Sequence, residues 1–200
     1  MERLAELESS PVADRKASKR ERVVQLSEAK SGQVLIVTND DELAAYQLDI
    51  EGRPDGEKMA DGVLLGRLGG RSVVCFVELK SRLRNEGEQV DPATRAFEQL
   101  ASATQHFHPS ARSGGQRSHG DAHHDAWQSG DEELTVMPAK DHEVIELVVA
   151  YRAVPRRPPE PPRRVGNTTV HRKVIQVSPA VANQAEKTFG ELLRLAGLSN

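Results

Sequence analysis

A continuous apolar run, Val73-Val74-Cys75-Phe76-Val77, limits the possible folds of this chain more than any other feature of its sequence. A strand with one face in water alternates apolar and polar residues, whereas a strand covered on both faces is apolar throughout. The run therefore predicts a central strand in a layered domain. It leads directly into Glu78-Leu79-Lys80, so two charged side chains follow a buried segment.

A second strand-like segment precedes this run and places another acid near its end. Residues 59–65 and 72–79 are both rich in strand-forming residues, and a glycine-rich segment separates them. Such a pattern is typical of an antiparallel hairpin. Asp61 stands at the start of the first predicted strand. Because residues i and i+2 of a strand share a face, Glu78 and Lys80 project together at the end of the second strand, towards Asp61.

The other patterns complete an α/β order. Ser10-Pro11 combines an N-cap residue with a first-turn proline, and Asp91-Pro92 does the same, so each predicts the start of a helix. The fold class predicted is α/β, with a mixed central sheet flanked by helices. The sequence predicts helices at 10–30, at 41–47, from 92 to 107 and from 178 onward, and strands at 33–38, 59–65, 72–79, 143–154 and 168–177.

The composition predicts one domain with two polar segments inserted into it. The chain has 200 residues, of which 37% are hydrophobic, and this is enough to bury a core. Residues 1–10 are expected to be frayed and 11–200 to form a single domain. A Ser-, Gly- and His-rich insert occupies 108–133, and a Pro- and Arg-rich arm occupies 155–164.

Several classes of protein are excluded by what the sequence lacks. A single cysteine, Cys75, rules out an internal disulfide and a thiolate zinc cluster, and its place in the apolar run predicts an inert buried thiol. No apolar run approaches the roughly 18 residues of a membrane span, and the charged start Met1-Glu2-Arg3 is unlike a signal peptide. We therefore expect a cytoplasmic protein without membrane contact.

Charge is distributed unevenly along the chain. The net charge is only −3, but basic residues are concentrated at 15–22 and 152–173, and acidic residues at 40–61. Basic zones beside an acidic zone suit a metal-dependent enzyme acting on a polyanion. An ordinary solvated surface shows the same pattern, so charge alone leaves both interpretations open.

The grouping of Asp61, Glu78 and Lys80 suggests a specific chemistry. Carboxylate oxygens are the ligands that Mg²⁺ prefers. A metal ion lowers the pKa of a bound water and neutralises charge on a phosphate, while a nearby lysine positions the water. The three residues together suit phosphodiester hydrolysis. The alternative is structural: the acids are polar residues of a turn or a sheet edge, and the lysine extends its ammonium into solvent at a strand end.

Asp61, the hairpin and Glu78-Leu79-Lys80 together resemble the PD-(D/E)XK nuclease superfamily, although Ala60 stands where its pattern often has proline. The resemblance covers roughly residues 10–107 and implies a restriction-endonuclease-like core. It implies that Asp61 and Glu78 are ligands of Mg²⁺ or Mn²⁺ and that the backbone carbonyl of Leu79 completes the metal shell. It implies that Lys80 orients the attacking water.

Two further site residues follow from the same resemblance. The helix after the motif strand often adds a polar residue, and Gln99 is the best-placed candidate on the predicted helix. The first helix often adds an acid, for which Glu28 or Glu21 is the candidate.

The function predicted is an endonuclease, dependent on Mg²⁺ or Mn²⁺, that acts on DNA or RNA with DNA preferred, in phage defence or DNA processing. The alternative is a non-catalytic accessory subunit of a larger complex with the same fold. Whether the chain acts alone, as a homodimer or in a complex is left open. The basic residues taken as candidate phosphate contacts are Lys16, Lys19 and Arg20 in the first helix, Arg82 and Arg84 after the motif, and Arg156, Arg157, Arg163 and Arg164 on the arm.

Overall fold

The computed structural model describes nine strands and two helices within residues 22–28, 30–40, 42–48, 59–83, 91–107, 142–152, 154, 158–181 and 183–198. The helices are α1 (Pro92–Phe107) and α2 (Phe189–Leu195). The strands are β1 (Arg22–Glu28), β2 (Gln33–Asn39), β3 (Leu43–Gln47), β4 (Gly62–Leu68), β5 (Arg71–Lys80), β6 (His142–Ala150), β7 (Arg163–Val165), β8 (Thr168–Gln176) and β9 (Gln184–Thr188).

The strands form two mixed sheets. The larger sheet has six strands in the order β3-β4-β5-β6-β8-β7, and the smaller has three in the order β1-β2-β9. The pairs β5–β6, β6–β8 and β2–β9 are parallel, and the other pairs are antiparallel. The mixed α/β class predicted from the sequence is confirmed, but strands outnumber helices and two sheets replace the single predicted one.

Strand β5 lies in the middle of the larger sheet and is covered on both faces, as its apolar run predicted. Cys75 and Leu79 face the core shared with the smaller sheet and α2, whereas Val74 and Phe76 face α1. Burial raises the pKa of the Cys75 thiol, which keeps it in its unreactive protonated form. The larger sheet is therefore the middle layer of the molecule.

The predicted hairpin is confirmed as β4 and β5, which pair antiparallel from Gly62↔Val77 to Leu68↔Arg71. Gly69 and Gly70 form its turn with φ of 58° and 81°. A two-residue turn with positive φ at both positions matches the twist of the flanking strands. The turn therefore fixes the register that carries Asp61 and Glu78 to the same sheet end.

The predicted helix at 41–47 and the described end of the predicted helix at 10–30 are wrong, because their residues pair as strands. Residues 22–28, predicted as the end of the first helix, form β1, in which Val24 and Leu26 are buried and Gln25 between them is exposed. The segment predicted as a helix at 41–47 contains β3, which pairs antiparallel with β4. In both cases a partner strand supplies the backbone hydrogen bonds that a helix would have made internally.

The last predicted helix begins later than its Ser178-Pro179 signal indicated. Residues 184–188 form β9 beside β2, and the helix begins at Phe189. Thr188 Oγ1 accepts a hydrogen bond from the Glu191 backbone N at 3.1 Å, and the Glu191 carboxylate accepts one from the Thr188 N at 3.0 Å. This reciprocal capping box is a stronger start signal than a serine followed by proline.

The arginine-rich arm differs from its prediction at Arg163. Arg163, taken as an exposed phosphate contact, lies in β7, and its Nε donates a hydrogen bond to Glu146 Oε1 at 2.9 Å. Glu146 lies in β6 and is completely buried, so Arg163 neutralises a core carboxylate. Arg164 is exposed.

Of the two described helices, neither is long and apolar enough to cross a membrane.

Candidate functional site

The candidate site lies where β5 extends beyond its partner β4. The pairing of the two strands stops at Gly62↔Val77, whereas β5 continues to Lys80 alongside β6. Asp61 occupies the edge that β4 leaves beside this extension. Its Oδ2 accepts a hydrogen bond from the Leu79 backbone N at 2.6 Å. The carboxylate therefore takes the place of a backbone acceptor in the ladder and has a fixed orientation.

The other three predicted side chains form a connected set on the α1 face of β5. The Glu78 carboxylate is 2% exposed and accepts a hydrogen bond from Lys80 Nζ. Lys80 Nζ also lies 3.3 Å from Gln99 Oε1, and Gln99 Nε2 donates to the Met59 carbonyl at 3.3 Å. The ammonium is thus held between β5 and α1, and the residues predicted from the sequence converge.

Electrostatics at Asp61 favour its neutral form. Burial raises the pKa of Asp61 to about 8, and the negative charges of Glu78 and Glu28 also raise it. The hydrogen bond from Leu79 and the positive charge of Lys80 lower the pKa but do not cancel the increase. A group of buried carboxylates with too little positive charge favours either a proton or a cation at this position.

The oxygen donors present suit a hard divalent cation. Asp61 and Glu78 supply carboxylates. The N–H and C=O of a strand residue point to the same side, so the Leu79 carbonyl shares the edge that its N–H offers to Asp61. Among the described residues, no group of three or more His, Cys, Asp or Glu is arranged to hold a metal. A cation here would keep several waters, which is the usual behaviour of Mg²⁺.

Glu28 stands at the end of β1 rather than on the helix where the sequence analysis placed it. Its carboxylate accepts hydrogen bonds from the backbone N of Lys30 at 3.1 Å and of Ser31 at 2.7 Å. Its charge also raises the pKa of Asp61. Glu28 therefore shapes the β1–β2 turn and adds negative charge at the edge of the site.

Tyr151 is a site neighbour that sequence reasoning missed. Its backbone N donates to the Lys80 carbonyl at 3.0 Å, and its hydroxyl donates to the Val34 carbonyl at 2.7 Å. Burial and the charge of Asp61 raise the pKa of its phenol, so the hydroxyl stays protonated as a donor. A tyrosine after an apolar strand carries no local signal of this role, because Val34 is distant in sequence.

The basic residues predicted to contact phosphates are only partly described. Arg82 is exposed just beyond Lys80. Arg163 and Arg164 lie in β7, as described above, and the remaining candidates lie outside the described residues, namely Lys16, Lys19, Arg20, Arg84, Arg156 and Arg157. The polar insert at 108–133 and residue Glu21 also lie outside them.

Comparisons with known proteins identify no relative. No protein-family model matches the chain, and neither a curated protein nor a solved structure matches it significantly.

Proposed function

We propose that this protein is a metal-dependent nuclease that hydrolyses phosphodiester bonds, with DNA as the first substrate to test. The observation that carries the proposal is the convergence of Asp61, Glu78 and Lys80 at the extended end of β5, with Lys80 between Glu78 and Gln99. The mixed sheet with α1 over the motif supports a restriction-endonuclease-like core.

Asp61, Glu78 and the Leu79 carbonyl would hold the metal, which we propose is Mg²⁺ or Mn²⁺. Their oxygens fit such an ion, and a bound cation would offset the burial and the Glu78 charge that raise the pKa of Asp61. When bound, the ion supplies charge neutralisation at the phosphate and lowers the pKa of a water.

Lys80 orients the nucleophile in this proposal. An ammonium group has more N–H donors than its contacts with Glu78 and Gln99 use. The remaining N–H donor orients a water molecule or binds a phosphate oxygen on which negative charge develops. Gln99 keeps the ammonium in place because its own amide is fixed on the Met59 carbonyl. The removal of solvent around Glu78 strengthens each of these interactions.

The test is cleavage by the purified chain of supercoiled plasmid, linear duplex, single-stranded DNA and RNA, with Mg²⁺, Mn²⁺ or EDTA. The informative variants are Asp61→Asn, which retains an acceptor for the Leu79 N–H, and Lys80→Ala. Glu143→Gln is the matched control, because this carboxylate sits at the opposite end of β6 in an exposed ion pair with Arg71.

We expect cleavage to require the metal. Asp61→Asn and Lys80→Ala should each lower the cleavage rate by at least about a hundredfold, and Glu143→Gln should retain it. Cleavage by Asp61→Asn and Lys80→Ala at the wild-type rate would reject the proposal. A folded wild-type chain that neither binds Mn²⁺ nor cleaves any of the substrates would also reject it, and would favour the accessory-subunit alternative.

A further inference from the structure

The two central parallel strands of the larger sheet end side by side, and each is followed by an exposed arginine. Strands β5 and β6 pair in parallel as far as Lys80↔Ala150. Arg82 follows Lys80 by two residues, and Arg152 follows Ala150 by the same distance. Both arginines are exposed, and the sequence analysis selected only the first.

The backbone that leads to Arg152 is fixed on both sides. The Tyr151 N donates to the Lys80 carbonyl at 3.0 Å, which continues the β5–β6 ladder, and the Val177 N donates to the Ala150 carbonyl at 2.9 Å on the β8 side. Tyr151 is 5% exposed, and its hydroxyl donates to the Val34 carbonyl. Arg152 is therefore presented from a rigid position beside the site.

The short distance from each arginine to the Lys80–Ala150 row would let both contact the polyanion that reaches Lys80. A strand rises about 3.3 Å per residue, and neighbouring strands lie about 4.8 Å apart. Both arginine backbones are thus within roughly 7 Å of the Lys80–Ala150 row. Among the described residues, neither guanidinium has a carboxylate within ion-pair distance, in contrast to Arg71 at the start of β5.

The positive charge of Lys80 is already engaged at the site. Its ammonium is bound to Glu78, so its charge is largely offset before a phosphate chain approaches. Exposed arginines at the rim supply positive charge that attracts such a chain. Arginine suits this task because its planar fork contacts two phosphate oxygens at once.

We infer that Arg82 and Arg152 form a phosphate-binding pair, here called the arginine pair, which holds the DNA backbone next to the bond to be cut. The inference rests on the proposed nuclease function and deepens it, because it adds a residue, Arg152, that no motif contains. The pair contacts backbone phosphates, so it contributes affinity without base preference.

The test is binding of a fluorescein-labelled duplex, and of its single strand, in EDTA, where no metal-dependent cleavage occurs. The variants are Arg82→Ala, Arg152→Ala and Arg152→Lys in the full chain. Arg71→Ala is the control, because it removes the same charge from the opposite end of β5. Thermal melting establishes that each variant is folded, as expected for exposed substitutions.

We expect Arg82→Ala and Arg152→Ala each to weaken duplex binding about tenfold or more, and each to lower the salt dependence by about one unit of slope. Arg152→Lys should recover part of the affinity, and Arg71→Ala should bind like the wild type. Equal weakening by all three alanine variants, or none by Arg152→Ala, would overturn the inference.

Parallel cleavage assays with Mg²⁺ separate this inference from the proposed function. If the wild type binds DNA through the arginine pair but cleaves nothing, the nuclease proposal fails and the binding site stands. If it cleaves DNA while Arg152→Ala binds and cleaves normally, the nuclease proposal stands and the arginine pair is wrong. A wild-type chain that neither binds nor cleaves DNA overturns both.

Discussion

Asp61 is a buried acid whose surroundings favour its neutral form. Burial and the neighbouring Glu78 raise its pKa to about 8, although the Leu79 N–H and Lys80 oppose this. The side chain therefore carries a proton at neutral pH unless a cation replaces it. Its raised pKa links the stability of the fold to pH at one residue.

The stability of the metal-free protein should depend on this proton. The folded-state pKa lies above the ordinary value of 3.8, so the folded chain binds more protons than the unfolded chain between these two values. The stabilisation is complete below about pH 4 and is lost as the pH rises through about 8. Urea unfolding in EDTA should therefore show a lower free energy of unfolding at about pH 8 than at about pH 5.

Asp61→Asn provides the control for this prediction. It retains the acceptor for the Leu79 N–H and removes the titrating group, so its unfolding free energy should fall less over the same pH range. The same pH dependence in wild type and variant would show that other groups are responsible.

Binding of Mg²⁺ should release a proton near neutral pH. The proposed ligand Asp61 must be ionised to hold the cation, and its pKa of about 8 means that it is mostly protonated beforehand. Calorimetric titration in two buffers of different ionisation enthalpy should report roughly one proton released. Heat that is independent of the buffer would contradict this linkage.

Among the helices and strands, local sequence signals predicted the β4–β5 hairpin and α1 but did not predict β9. The β4–β5 hairpin and α1 were predictable because Gly69-Gly70 and Pro92 mark their turn and start within a few residues. The strand β9 was not predictable in the same way, since it forms against β2 with the register Val34↔Gln184. Its strand conformation depends on a partner far away in the sequence, and local propensity does not contain that information.

The contact between β4 and α2 should be sensitive to a single methyl group. A Cβ added at Gly66 would lie 2.6 Å from the Phe189 ring, whereas one at Gly190, in the same helix, would lie 3.5 Å from Leu68. Gly66→Ala should therefore lower the free energy of unfolding by about 1–3 kcal/mol. Gly190→Ala should leave it unchanged or raise it by up to about 1 kcal/mol, because alanine favours helix.

Chemical denaturation of both glycine variants measures these differences. If Gly66→Ala is as stable as the wild type, Phe189 does not pack against β4 as described. If Gly190→Ala is the more destabilised of the two, the orientation of α2 is wrong.

At the scale of the whole molecule, a buried ionic network joins α1 to the far strands of the larger sheet. Glu146 in β6 accepts hydrogen bonds from Arg163 at 2.9 Å and from Thr104 of α1 at 2.9 Å. Arg172 of β8 lies 3.4 Å from the same carboxylate, and its guanidinium stacks 4.3 Å from the centre of the Phe97 ring. Because α1 also carries Gln99, this network fixes the helix that holds Lys80.

Removal of Glu146 should be costly. Glu146→Ala would leave Arg163 and Arg172 without their shared carboxylate in the interior, which should lower the free energy of unfolding by about 3–5 kcal/mol. Glu143→Ala, in the same strand, breaks an exposed ion pair with Arg71 and should cost about 1 kcal/mol or less. Comparable losses in the two variants, measured by urea unfolding, would contradict the buried role of Glu146.

The candidate site was predictable from the sequence only for the residues that belong to one local hairpin. Asp61, Glu78 and Lys80 belong to one hairpin, so the period-two rule and the turn brought them together from sequence alone. Tyr151 and Arg152 reach the same place through the parallel β5–β6 pairing, which crosses the long polar insert. No pattern along the chain indicates that pairing, so their place beside Lys80 required the structure.

The parallel pairing of β2 with β9 has a consequence for the order in which the molecule is completed during translation. Glu28, whose charge raises the pKa of Asp61, ends β1, yet the sheet of β1 and β2 gains its third strand only from residues 184–188. A ribosome releases those residues long after the hairpin and α1. The nascent chain therefore emerges with β1 and β2 early, and the smaller sheet should be completed only when synthesis has passed β9.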